Sequence, residues 1–190
     1  MATIQILNKE TLSKKKYLLQ NITFEKPDNA GKFHKQEKEI YFRPDAVAVL
    51  LVDNNNEKIL LTKQFRLPTF LNHSDTGYLV ETCAGLIDED ETPEQAAIRE
   101  VEEETGYQIT GLEKIGGVYT SAGGITEYLY LFTAQYDNTS QHGEGGGKAG
   151  EGEDIELIEM TLNDAREKLK QGWFIDAKTM LLLQHYFLNH

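Results

Sequence analysis

The sequence predicts a mixed α/β domain preceded by a small antiparallel β appendage. Three observations point there. Residues 46–52 (Ala-Val-Ala-Val-Leu-Leu-Val) form an unbroken apolar run, as expected of a strand covered on both faces. A strongly punctuated helix follows from Pro93 to Thr105, and the first forty or so residues alternate without helical period. In order, Ile4–Ile6, Tyr17–Phe24 and Glu39–Phe42 read as the appendage strands, with a turn at Lys26–Gly31. Asp53–Glu57 is a turn cluster, and Lys58–Phe65 returns as the partner of the apolar strand. Tyr78–Cys83 is a further strand. Thr92 is placed to cap the helix, Pro93 fits its first position, Gln95 completes a capping box, and Gly106 stops it. Tyr128–Tyr136 alternates as a strand, Gly143–Gly152 reads as a mobile loop, and Ile155–Met160 is a strand. A short helix over Asp164–Lys170 and a last one capped by Asp176 through Leu188 complete the chain. The expected division is residues 1–43 and 44–190.

The chain's 190 residues carry 19 basic and 31 acidic side chains, a formal charge of −12. Phosphate backbones are held by clustered Lys and Arg, so this balance argues against a nucleic-acid scaffold. No stretch approaches the ~20 apolar residues of a membrane span, and the first residues lack a secretion signal. Cys83 is the single cysteine, which excludes an internal disulfide framework and fits a reducing compartment. The expected setting is the cytoplasm. With no base partner in the sequence around it, Cys83 reads as a buried thiol rather than a nucleophile.

The chemistry concentrates around the central helix. At ~100° per residue, Glu100, Glu103 and Glu104 share one arc, while Ala97, Ile98, Val101 and Thr105 occupy the neighbouring arc that would pack on a sheet. Carboxylates at such spacings repel each other, and no lysine shares their face. An acidic run alone reads as a solvated face. Here it comes with a glycine before the helix (Gly85), an acid at its mouth (Glu91) and an arginine beside the acids (Arg99), which solubility does not require. Oxygen ligands from carboxylates and water suit Mg²⁺. Two other phosphate or metal motifs fail. A P-loop reading of the run to Lys148 meets His142 and Ala149 at positions that require Gly and Ser/Thr, and an EF-hand reading of Asp88–Thr92 places Pro93 where glycine is required.

Gly85, Glu91, Arg99, Glu100, Glu103, Glu104 and Gly106 fill every fixed position of a pattern that resembles the Nudix hydrolase signature. The resemblance implies a mixed sheet sandwiched by helices and hydrolysis of a nucleoside diphosphate linked to another group. It also implies a Mg²⁺ site, in which Mn²⁺ substitutes, built from Glu100, Glu104, Glu103 and the Ala84 carbonyl. Arg99 and Glu91 would orient these acids. Outside the motif, Glu81–Gly85, Ser121–Glu127 and Glu151–Glu156 are similar to the nucleoside-diphosphate-sugar pyrophosphatases of the family. That branch implies GDP-mannose cleaved to GMP and mannose 1-phosphate, with ADP-ribose (giving AMP and ribose 5-phosphate) as the alternative substrate. A module that senses a nucleotide sugar without cleaving it is the non-enzymatic alternative. By the same resemblance Glu153 contacts metal and acts as the base, with Glu151 as alternate, and Glu103 and Arg99 assist. Tyr17, Lys38, Arg66, Ala84, Gly85, Leu86, Glu127 and Lys178 would contact substrate. The branch further implies a homodimer whose N-terminal strands exchange. This chain departs from the branch at Lys16, where an aromatic is expected, and Glu37, where a basic residue is expected, which leaves guanine against adenine open.

Overall fold

The computed structural model describes residues 3–72, 74–137, 139–147 and 154–190. By its contacts the chain divides into two compact units. One is Met1–Asp45 with Tyr119–Tyr128, the other Ala46–Val118 with Leu129–His190.

The larger unit is organised by β4 (Ala46–Asp53), every residue of which is buried. Side chains of a strand alternate between faces. Ala46, Ala48, Leu50 and Val52 therefore enter one core, with Ile59, Leu61, Phe174, Leu182 and Leu183. Val47, Val49 and Leu51 enter the other, with Leu60, Ala96, Ala97, Val101 and Phe132. The helix α2 (Pro93–Thr105) thus covers one face, and α3 (Leu162–Lys170) and α4 (Ala177–Asn189) cover the opposite face. Between them lies a seven-stranded mixed sheet. Its main path runs β10 (Glu156–Thr161), β5 (Lys58–Phe65), β4, β9 (Tyr128–Gln135), β8 (Thr110–Tyr119). The β4–β9 pair is parallel, and β4 is antiparallel to β5.

One strand expected over Tyr78–Cys83 is two. β6 (Tyr78–Glu81) pairs with β5, whereas β7 (Cys83–Leu86) pairs with β4, so the chain changes partner at Thr82. A short helix, α1 (Leu67–Asn72), and β8 were not foreseen from the sequence. Three glycines within Thr110–Tyr119 hide the alternation that would mark β8 as a strand.

In the smaller unit, β1 (Gln5–Lys14), β2 (Leu18–Pro27) and β3 (Phe33–Phe42) form an antiparallel sheet of three ten-residue strands. They are longer than their apolar segments because exposed polar residues continue the ladder. The turn is narrower than expected: the Asp28 carboxylate accepts from the N–H groups of Ala30 and Lys32 and closes it. The 119–128 segment joins this sheet through Tyr41, whose N–H donates to the Gly124 carbonyl (2.8 Å) and whose carbonyl accepts from Thr126 (3.2 Å). Among the described residues no helix is long and apolar enough to cross a membrane.

Candidate active site

The site is built from the start and the end of α2 and the strand that faces it. At the start, Thr92 Oγ1 accepts from the Gln95 N–H and Gln95 Oε1 accepts from the Thr92 N–H, the reciprocal box expected from sequence. At the end, Gly106 adopts φ 74° and its N–H donates to the Glu102 carbonyl. Of the apolar arc, Ala97, Val101 and Thr105 are buried as expected, but Ile98 is 49% exposed and Ala96 is buried instead. Ile98 stands roughly 100° round the helix from Ala97, at the rim of the buried arc.

The acids divide by position. Glu102 is exposed, Glu103 and Glu100 are partly covered, and Glu104 turns inward to 5% exposure. Arg99 lies across them. Its Nε and Nη2 donate to the two oxygens of Glu91 (2.9 and 2.7 Å), Nη1 donates to Glu100 (2.7 Å) and Glu103 (3.2 Å), and Nη2 also reaches the Leu86 carbonyl (3.0 Å). These bonds, that to Glu91 above all, raise the guanidinium pKa further above its ordinary value. A forked cation matched to a carboxylate in this way fixes geometry as well as charge.

Gly85 faces Glu100 so closely that a Cβ there would stand 1.9 Å from the Glu100 carboxyl carbon. Only glycine admits this approach. Next to it the Ala84 N–H donates to Glu104 Oε2 (3.2 Å). Burial, with the charge of Glu100 adding to it, pushes the Glu104 carboxyl up to about 7. Behind it Cys83 is 1% exposed, and burial pushes its thiol well up, so the thiol is inert as expected.

These residues suit a hard divalent cation. The donors are all oxygens, and the buried Glu104 carboxylate gains from a nearby positive charge. Among the described residues no group of three or more His, Cys, Asp or Glu side chains is gathered as a metal cage; Arg99 engages Glu100 and Glu103 instead. An ion that keeps several waters and takes one or two carboxylates needs no such cage.

A second cluster adjoins the first in sequence. Glu81, buried at the end of β6, accepts from Arg66 Nε (2.8 Å) and from Lys178 Nζ. Lys178 also donates to Asp176 Oδ1 (3.0 Å), and Asp176 Oδ2 caps α4 through the Thr179 N–H (2.9 Å). Arg66 and Lys178, both expected to meet substrate, are thus brought together. Glu81 was not singled out from the sequence; its role arises only from tertiary pairing.

The described part of the glycine-rich stretch is tied down rather than loose. The N–H groups of Gly146 and Gly147 donate to the carbonyls of Glu104 (2.8 Å) and Glu103 (3.2 Å). These carbonyls lie in the last turn of α2, which cannot satisfy them itself. Glu151 and Glu153 lie outside the described residues.

In the smaller unit Tyr17 and Glu127 meet through Arg43, which the sequence did not mark. Its guanidinium lies 5.4 Å from the Tyr17 ring centroid, and its Nη2 lies 3.2 Å from Glu127 Oε2. Tyr41 packs edge-on against Tyr17 at 5.7 Å. Lys38 is exposed on β3, in register with Ile22, and is not part of this cluster.

An arginine laid across the acids of α2, with a strand glycine opposite that admits the Glu100 carboxylate, fits the Nudix class of hydrolases. The model of the NUDIX domain matches residues 42–183, and the chain belongs to that family, whose hydrolases generally need a divalent metal. It is similar to the GDP-mannose pyrophosphatase of Cronobacter sakazakii, 42% identical over 98% of this chain and 96% of that protein. The GDP-mannose pyrophosphatase of Pectobacterium atrosepticum is 39% identical, covering 98% and 95%. Among solved structures, the crystal structure of an ADP compounds hydrolase superposes with a TM-score of 0.71 at 21% identity, over 98% of this chain and 95% of that one, a likeness of fold.

Proposed function

We propose that this enzyme hydrolyses the pyrophosphate bond of a nucleotide sugar, GDP-mannose foremost, to GMP and mannose 1-phosphate. The reaction class rests on one observation above all: the Glu100 carboxylate is seated against Gly85 and held by Arg99, beside the buried Glu104. The substrate rests on the similarity to the two GDP-mannose pyrophosphatases over nearly the whole chain. Glu100 and Glu104 would be the principal ligands of Mg²⁺, with Mn²⁺ able to replace it, and Glu103, the Ala84 carbonyl and Glu153 would assist. When bound, the divalent ion polarises phosphate oxygens and lowers the pKa of a coordinated water.

The chain's own groups do the rest. Arg99 and Glu91 keep the helix acids aimed. Arg66 and Lys178 bind phosphate oxygens and offset the protein's charge of −12, which by itself repels a diphosphate. The backbone at Ala84, Gly85 and Leu86 lines the same place. Glu153, or Glu151 beside it, accepts the proton of the attacking water. Tyr17, Lys38 and Glu127 serve the base and sugar. We further assign residues 1–43 to a dimerisation subdomain, exchanged between protomers, residues 44–190 to the hydrolase domain, and the cytoplasm as the place of action.

Incubation with equal amounts of GDP-mannose and ADP-ribose in Mg²⁺, followed by chromatography, tests this. GMP and mannose 1-phosphate are the expected first products. Preferential release of AMP and ribose 5-phosphate replaces the substrate, and tight nucleotide-sugar binding without products replaces the enzyme by a sensing module.

A further inference from the structure

We propose that Glu81 is a positioning residue: its buried carboxylate sets Arg66 and Lys178 side by side as a two-cation clamp for the diphosphate. The proposal deepens the reading above and rests on its assignment of those two cations to phosphate. Glu81 is 3% exposed, and each of its oxygens takes one cation, Oε2 from Arg66 and Oε1 from Lys178. A carboxylate so buried must be paired, yet one cation would suffice for that. Here two arrive from distant parts of the chain, the end of β5 and the first turn of α4.

Each is delivered independently. The Arg66 N–H donates to the Gly77 carbonyl (2.8 Å), and the Thr82 N–H donates to Thr179 Oγ1 (2.8 Å), which fixes the first turn of α4 to the residue after Glu81. Two like charges this close repel, and the carboxylate between them makes the arrangement tolerable. With Asp176 included, the four groups sum to no net charge, so burying them is not prohibitive. A ligand reaches the clamp chiefly through Arg66, which is 38% exposed and engages Glu81 through Nε, so this bond does not consume its terminal nitrogens; Lys178, 13% exposed and held by Glu81 and Asp176, keeps one of its three N–H groups for it. Three residues beyond Glu81, the Ala84 N–H holds Glu104, which puts the clamp and the acid site on one short run of chain.

Inorganic pyrophosphate, titrated calorimetrically at constant Mg²⁺, is the probe. Glu81→Gln is expected to weaken its binding roughly tenfold, and to raise the KM of the nucleotide sugar by a similar factor while kcat changes less than about threefold. In an Arg66→Ala/Lys178→Ala background the same substitution is expected to have no further effect, since nothing is left to position. Glu81→Asp, which keeps the charge but shortens the reach, is expected to fall between and serves if the Gln variant does not fold. Unchanged pyrophosphate affinity, or an equal loss in the Ala/Ala background, overturns the proposal and leaves Glu81 a purely structural ion. Failure of the wild type to cleave any nucleotide sugar sinks the functional reading instead, and the pyrophosphate cycle still judges Glu81.

Discussion

The Glu100 carboxylate occupies the volume that a side chain on Gly85 would need: a Cβ there would lie 1.9 Å from its carboxyl carbon and 2.1 and 2.3 Å from its oxygens. Because the obstacle is the far end of a side chain, Gly85→Ala is expected to fold with a melting temperature within a few degrees of wild type. The displaced carboxylate is expected to weaken Mg²⁺ activation by about 10- to 100-fold, the size of effect seen when groups that orient metal ligands are lost. A Mg²⁺ titration of activity beside a thermal melt checks both halves.

Arg99→Lys is expected to behave almost as badly as Arg99→Ala. Lysine supplies a point charge, but it cannot bridge Glu91, Glu100, Glu103 and the Leu86 carbonyl at once. Both variants are expected to need roughly tenfold or more Mg²⁺ for half-maximal rate, with part of the rate recovered at saturating metal. Equal Mg²⁺ dependence of the lysine variant and wild type would refute the clamp.

Glu104 predicts a pH-dependent stability in metal-free protein. Its carboxyl is pushed from 4.5 up to about 7, chiefly by burial, so the folded state holds this proton more tightly than the unfolded chain. Stability from this group is therefore full below its ordinary pKa and is lost as pH rises from about 4.5 through about 7. Glu104→Gln is expected to flatten that decline and to melt higher than wild type at pH 8 without metal, while turnover falls by about 10³ or more. Thermal melts across pH 5 to 8, with and without Mg²⁺, read out the sign.

Gly145 sits at φ 64°, and a Cβ there would come within 2.6 Å of the Thr105 carbonyl carbon and 2.7 Å of the Glu104 carbonyl oxygen. Both obstacles are backbone and cannot swing aside. Gly145→Ala is expected to release the Gly146 and Gly147 amides from α2, seen as faster hydrogen exchange. Turnover is expected to drop about tenfold and Mg²⁺ activation to weaken with it, because Glu153, the proposed base and metal contact, and Glu151 beside it follow this stretch.

How much of this was readable in advance depended on the range of the interaction. Thr92, Pro93, Gln95 and Gly106 delimit α2 through bonds made within a few residues, so the sequence announced both ends. Ala46–Val52 announced β4 because burial on two faces leaves no polar position to obscure it. The exposed strands β1 and β3 were legible only at their apolar ends, since Asn8–Glu10 and Lys35–Lys38 owe their extension to the neighbouring strand. Within the site, the acids and Arg99 stand close in sequence and could be read together. Glu81 and Arg43 could not: their partners lie 15 and 97 residues away for Glu81, and for Arg43 the partner Glu127 belongs to a separate segment.

Asp176 holds two offices. One oxygen caps the start of α4, and the other steadies Lys178. Serine or asparagine would fill the first office almost as well and leave the second vacant. A homologue or laboratory lineage filtered only for heat resistance could therefore drift at this position and keep a sound helix while its hold on substrate quietly eroded. Endurance and competence come apart at a single carboxylate.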